Sequence, residues 1–213
     1  YSCCKTSKTD MINMLSVSKF ISYIFHPILY STVGTLLYFI LVPNHIPKKQ
    51  EYIILAIIFV STYILPLLLL YTLKYFGLIE SLELFSIQER KFPVIFLIIL
   101  TFMLGKMLNA LGGVDLLGIS FYGSCMGLLL IYLLFSANIK ASIHTMGMGT
   151  LIGFAILMSV YYEMNLIWLI ALFVLLFGFL ASARLVLKAH KPFEVYLGVL
   201  IGICAQLIAF YTL

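Results

Sequence analysis

Of the 213 residues in the chain, 63% are hydrophobic and only 10% are charged, and the mean hydropathy is +1.15. A water-soluble domain carries about 25% charged residues to cover its surface, so this composition excludes one and makes lipid the main solvent. The net charge of +5, from 13 Lys and Arg against 8 Asp and Glu, is spread along the chain without a basic tract, which argues against nucleic acid as a partner.

A spanning helix needs about 20 apolar residues, so the length allows about six to eight crossings and no large extramembrane domain. Apolar runs separated by charges and turn residues predict an all-α polytopic transmembrane bundle of about six to seven helices. Residues 1–19 read as a polar N-terminal segment and 20–213 as a single integral membrane domain. The first predicted span covers 20–42 and stops at Pro43, and the second covers 52–73. His26-Pro27 and Pro66 predict kinks in these two, since proline removes a donor and crowds the preceding turn. The connection 74–92 mixes Glu80, Glu83, Glu89, Arg90 and Lys91 with apolar residues, as an interfacial amphipathic segment would. The third span begins at Pro93 and runs to Leu111, interrupted by Lys106 and Asn109. The fourth covers 116–137, the fifth 142–162, the sixth 166–183 and the seventh 193–213. Gly147, Gly149 and Gly153 give the fifth the small residues of a helix buried among others. Cys3, Cys4, Cys125 and Cys204 form neither a disulfide frame nor a CxxC metal pattern.

Seven crossings sort the loops onto two faces, and ten of the 13 basic residues fall on the N-terminal one. The positive-inside rule then places that face in the cytoplasm. Setting aside the six from Arg90 to Lys191, namely the four of the clusters described next together with Lys188 and Lys191, leaves four against three and no direction.

Charges and histidines are costly near lipid, and those that remain gather in three places. Arg90 and Lys91 precede Pro93. Lys140, Ser142 and His144 open the fifth helix. Arg184, His190 and Glu194 join the sixth and seventh. The span order puts all three clusters on one face, whereas opposite faces would separate them by about 30 Å of hydrocarbon. Arg184, Arg90, Lys140 and Lys91 offer cations to an anion, and Ser142 stands where a helix exposes unpaired N–H groups. Two histidines then permit a two-step displacement at phosphorus, with Glu194 orienting His190 from one helical turn away. The set needs no metal or other cofactor. His26, within an apolar run, reads as a packing histidine; His45, Asp115 and Glu163 fall on the other face.

These residues resemble the type 2 phosphatidic acid phosphatase family, the lipid phosphate phosphatases, whose pattern is K-x6-R-P, P-S-G-H and S-R-x5-H-x3-D. Ala183-Arg184, His190 and Glu194 match the third part in spacing, and Ala141-Ser142-Ile143-His144 the second. The resemblance implies His190 as phosphoryl-accepting nucleophile, Glu194 as its orienting carboxylate, His144 as general acid, and Ser142 and Arg184 as phosphate ligands. It implies metal-free hydrolysis of a lipid phosphate or polyprenyl diphosphate, with membrane lipid as surroundings and the prokaryotic plasma membrane as location. The departures are Phe85 and Phe92 where the family has Lys and Arg, Ala141 and Ile143 for Pro and Gly, Ala183 for Ser, and Glu194 for Asp. They keep open a catalytically silent relative that binds lipid or serves as a subunit of a larger membrane complex. A redox subunit with haem held by two of His26, His144 and His190 is the third reading, and it gives Arg184 and Ser142 no task.

Overall fold

The computed structural model describes residues 8–43, 46–81, 84 and 86–213, with side chains from residue 14 onward. The described residues form helices and connecting turns without strands. Six helices are long and apolar enough to cross a membrane, and a bent pair makes up to seven. The protein is an all-α integral membrane bundle.

The bent pair is α1, Lys8–Ile24, and α2, Pro27–Leu41, which meet at 52°. The expected kink is thus a full break. The residue before a proline is excluded from the helical region, and His26 sits at φ −70°, ψ 136°. Pro27 then opens α2, where its missing N–H costs nothing. Helix α1 runs through residue 19, since no Gly or Pro interrupts 8–24.

The second span is continuous over Lys48–Tyr75. It comprises α3 (Lys48–Phe59), a π turn (Val60–Ile64) and α4 (Leu65–Tyr75). Pro66 cannot donate to Thr62, and the widened turn just before it, with Leu65 N–H on the Val60 carbonyl, accommodates that loss. Helix α5, Ile87–Leu111, starts six residues before the expected Pro93. Its start is a capping box: Ser86 Oγ accepts from the Glu89 N–H at 3.2 Å and Glu89 accepts from the Ser86 N–H at 3.1 Å. Pro93 falls in the second turn, and Arg90 becomes a helical residue of the first. Most of the connection 74–92 is therefore turn and helix, while Leu82, Glu83 and Phe85 lie outside the described residues, as does His45.

Helices α6 (Asp115–Ser136), α7 (Ile143–Tyr161), α8 (Ile167–Val186) and α9 (Pro192–Thr212) follow the expected spans to within three residues. Helix α7 is central, packed on α2, α6, α8 and α9. Its apolar window is 67% buried against 22% for α8, whose Leu172, Val174, Leu175 and Phe179 face outward. The α7–α9 crossing is close because glycines meet backbone: a Cβ on Gly149 would collide with the Val199 carbonyl, and one on Gly202 with the Met146 carbonyl. Gly198 lies likewise against Thr145 and Ser142, and Gly153 against Gln206 and Ile203. Small residues let two backbones approach where lipid supplies no hydrophobic drive between helices. Gln206, fully buried, ties α9 to α6 by donating to the Ser120 carbonyl at 2.9 Å.

Candidate functional site

The glycine crossing sets the first turns of α7 and α9 side by side. Ser142 caps α7, its Oγ facing the Thr145 N–H at 3.5 Å, and its own N–H donates to the Glu194 carbonyl at 3.1 Å. Thr145 Oγ1 donates across to the Val195 carbonyl at 2.9 Å. These bonds hold the Lys140–His144 segment against the start of α9, where His190 and Glu194 stand.

The His190 side chain is 1% exposed. Its Nδ1 lies 2.9 Å from Glu194 Oε2 and 3.1 Å from the Lys140 carbonyl. Both partners accept, so Nδ1 carries the ring proton and Nε2 keeps its lone pair. Glu194 reaches the ring despite its extra methylene, and the same oxygen accepts from the Lys191 N–H at 3.2 Å, closing the first turn of α9. Burial pushes the His190 pKa down from 6.5 to about 4; the Glu194 hydrogen bond opposes this, and the Arg90 and Arg184 charges add to it. The resting ring is neutral.

Cations from three elements surround this pair. Arg90, 6% exposed, donates its Nε to the Leu84 carbonyl at 2.7 Å. Arg184, at the end of α8, turns inward and donates Nη1 to Ser22 Oγ of α1 at 2.8 Å. Both act electrostatically on His190 and on Lys140, which burial and then Arg90 push below the ordinary lysine pKa. Four helices, α2, α5, α7 and α9, begin at this end of the bundle and direct their positive dipole ends toward it. His144, in the first turn of α7, is within electrostatic range of Arg184, His26, His190 and Arg90. No hydrogen bond occupies its ring among the described residues.

The structure thus brings together His190, Glu194, His144, Ser142, Arg184, Arg90 and Lys140. It leaves out Lys91, which is exposed on α5 and makes no hydrogen bond or ion pair with the cluster among the described residues. Next to it, Phe92 is 56% exposed. At the family's arginine position a side chain would here face outward, while Arg90, two residues earlier, is buried within the cluster. Phe85 lies outside the described residues. Ser142 is fully buried, its hydroxyl spent on the helix cap.

No protein-family model, curated protein or solved structure matches the chain. The site therefore rests on its own geometry.

That geometry includes residues that the sequence did not place in the site, among them His26, expected above to be a packing histidine. His26 is in ring contact with His144, centroids 5.2 Å apart and edge to face at 77°. Ser22 anchors Arg184, and Thr145 stitches α7 to α9. The His26-Pro27 pair carried the signal, because a residue barred from the helix at a span's break leaves its ring at the helix end. No porphyrin plane fits between His26 and His144 as placed, and among the described residues no three His, Cys, Asp or Glu side chains converge as metal ligands. A cavity of about 350 Å³ lined by Tyr38, Tyr162, Gln50 and Gly113 opens at the other end of the bundle. A hydroxyl-lined cleft among α2, α6 and α7, bounded by Ser31, Thr35, Ser120 and Thr150, has room for about one water.

Proposed function

We propose that this membrane protein hydrolyses a phosphate or diphosphate ester of a lipid, without metal, through a phosphohistidine formed at His190. The observation that carries the reading is the double acceptor grip on His190 Nδ1, which leaves Nε2 as a nucleophile. His190 Nε2 attacks phosphorus, the bond from phosphorus to the leaving oxygen breaks, and His144 gives that oxygen its proton. Water then attacks the phosphohistidine, His144 takes a proton back, and phosphate and the neutral His190 ring are restored. Arg184 and Arg90 balance the charge on the phosphoryl oxygens. The site lies at the ends of lipid-facing helices, so a substrate whose tail stays in the bilayer presents its headgroup there. The resemblance to lipid phosphate phosphatases agrees with this chemistry, and a plasma membrane location fits it.

A second reading is favoured by the closure of His190 and Ser142: a silent relative that keeps the fold as a lipid-binding or complex-forming subunit. One assay separates them. Purified protein in detergent with chelator present is expected to release phosphate from a panel of lipid phosphates and prenyl diphosphates, and His190→Ala to abolish the release. No release, or release indifferent to His190→Ala, overturns the enzymatic reading in favour of the silent one.

A further inference from the structure

His26 is held in place more firmly than packing requires. The break before Pro27 frees its ring from the helix, and Tyr30, one turn into α2, donates its hydroxyl to the Phe25 carbonyl at 2.9 Å. The Tyr30 ring lies on Gly147 of α7, where any side chain would collide with it. The break is therefore clamped to α7, one turn from His144. From the other side, Arg184 reaches Ser22 and acts electrostatically on His26. Around the cluster the order is His190, His144, His26: His144 is within range of both neighbours and in ring contact with His26.

The His26 tautomer is set locally. Its Nδ1 faces the Ile28 N–H at 3.5 Å and serves as the acceptor that caps α2. In a neutral ring the proton is then on Nε2, which is a donor. No other hydrogen bond engages this ring among the described residues.

We infer that His26 is a third histidine of the substrate pocket, donating from Nε2 to the phosphoryl group that departs, so that the site prefers a diphosphate ester to a monophosphate. The inference rests on the proposed phosphohistidine reading and deepens it. In an in-line displacement the nucleophile and the general acid stand on opposite sides of the reacting phosphorus. A donor beyond the general acid meets the leaving group. In a monophosphate ester that group is an apolar alcohol offering one oxygen. In a diphosphate ester it is a second phosphate, with oxygens to spare for His26 Nε2. When the bond from the terminal phosphorus to the bridging oxygen breaks, His144 protonates that oxygen and His26 holds its neighbours; the products are the lipid monophosphate and phosphohistidine.

The two nitrogens of His26 can be tested separately. Asparagine places an acceptor near Nδ1 and keeps the cap, while glutamine places a donor near Nε2. Farnesyl diphosphate and farnesyl monophosphate share one alcohol and differ by one phosphoryl group. His26→Asn is expected to lower kcat/KM for the diphosphate at least tenfold more than for the monophosphate, and His26→Gln to keep most of the wild-type preference. Equal loss on both substrates, or greater damage from His26→Gln, makes His26 a cap only and overturns the inference. A measurement on wild-type protein stands apart from folding of the variants: methylenediphosphonate should inhibit at least tenfold more tightly than methylphosphonate, and equal inhibition overturns the inference. Absence of His190-dependent hydrolysis on either substrate overturns the underlying reading as well, which distinguishes the two failures.

Discussion

Glu194 offers the most direct test of the site, because its distances state what each substitution removes. Glu194→Asp shortens the side chain by one carbon–carbon bond of about 1.5 Å. The 2.9 Å contact to His190 Nδ1 then opens beyond hydrogen-bond reach. A hydrogen bond to a charged group contributes about 1.5–3 kcal/mol, which corresponds to about 10–150-fold in kcat/KM. The Lys140 carbonyl at 3.1 Å still fixes the tautomer, so the loss should stop well short of the ~10⁴-fold that follows a wrong tautomer. Glu194→Gln keeps an acceptor and removes the charge. Reaction needs neutral His190, so kcat/KM falls as pH drops through the pKa of that ring, which lies below the ordinary 6.5. Glu194 raises that pKa against burial; without its charge the acid limb should move to still lower pH while the plateau falls. Glu194→Asp also loses the contact to the Lys191 N–H, so it should melt below Glu194→Gln by an amount corresponding to about 1 kcal/mol. Chelated phosphate-release assays from about pH 3 to 8, with thermal melts of both variants, measure all of this. Wild-type activity in Glu194→Asp, or an acid limb that moves upward in Glu194→Gln, refutes the assigned role.

Two further substitutions probe the surroundings. Gly202→Val drives a side chain into the Met146 carbonyl and the backbone around Thr150; overpacking costs about 1–3 kcal/mol, and the displaced α7 start should lower kcat about 10²-fold, whereas Gly178→Val, with nothing within 4 Å of the added Cβ, should do neither. Equal activity and melting in the two variants would show that the crossing does not position the site. Arg184→Lys should lose at least ~10-fold in kcat/KM, because an ammonium cannot hold Ser22 and grip two phosphate oxygens as a guanidinium does; full activity in that variant would remove Arg184 from the site.

Much of the fold was legible because lipid imposes a simple rule: uninterrupted apolar runs are helices, and their ends carry polar residues. The start of α5 escaped it. Pro93 resembled a helix opening, but Ser86 and Glu89 form the true cap, a pattern masked by the surrounding charges. The same shift explains why Arg90 belongs to the site and Lys91 does not, since adjacent helical residues face different directions. At Pro66 the expected disturbance takes the form of a π turn, Val60–Ile64, which absorbs the donor that proline lacks. The shared location of Arg184, His190, Ser142 and His144 followed from counting crossings. The contribution of His26 did not, because it depends on α1 and α2 parting at 52° and on the fit of Tyr30 against Gly147, neither of which periodicity encodes.

The central position of α7 has a consequence for how the protein is made. Its mean hydropathy, 1.6, is the lowest of the six unbroken spans, against 2.8 for Lys48–Tyr75. The glycines and hydroxyls that let it pack leave it the segment least able to remain in hydrocarbon alone. Its chief neighbour, α9, is made after it, with α8 between them in the chain. The polar cluster between them thus assembles only once α9 is inserted, and a nascent chain released before that point would carry a poorly anchored segment for quality control to recognise.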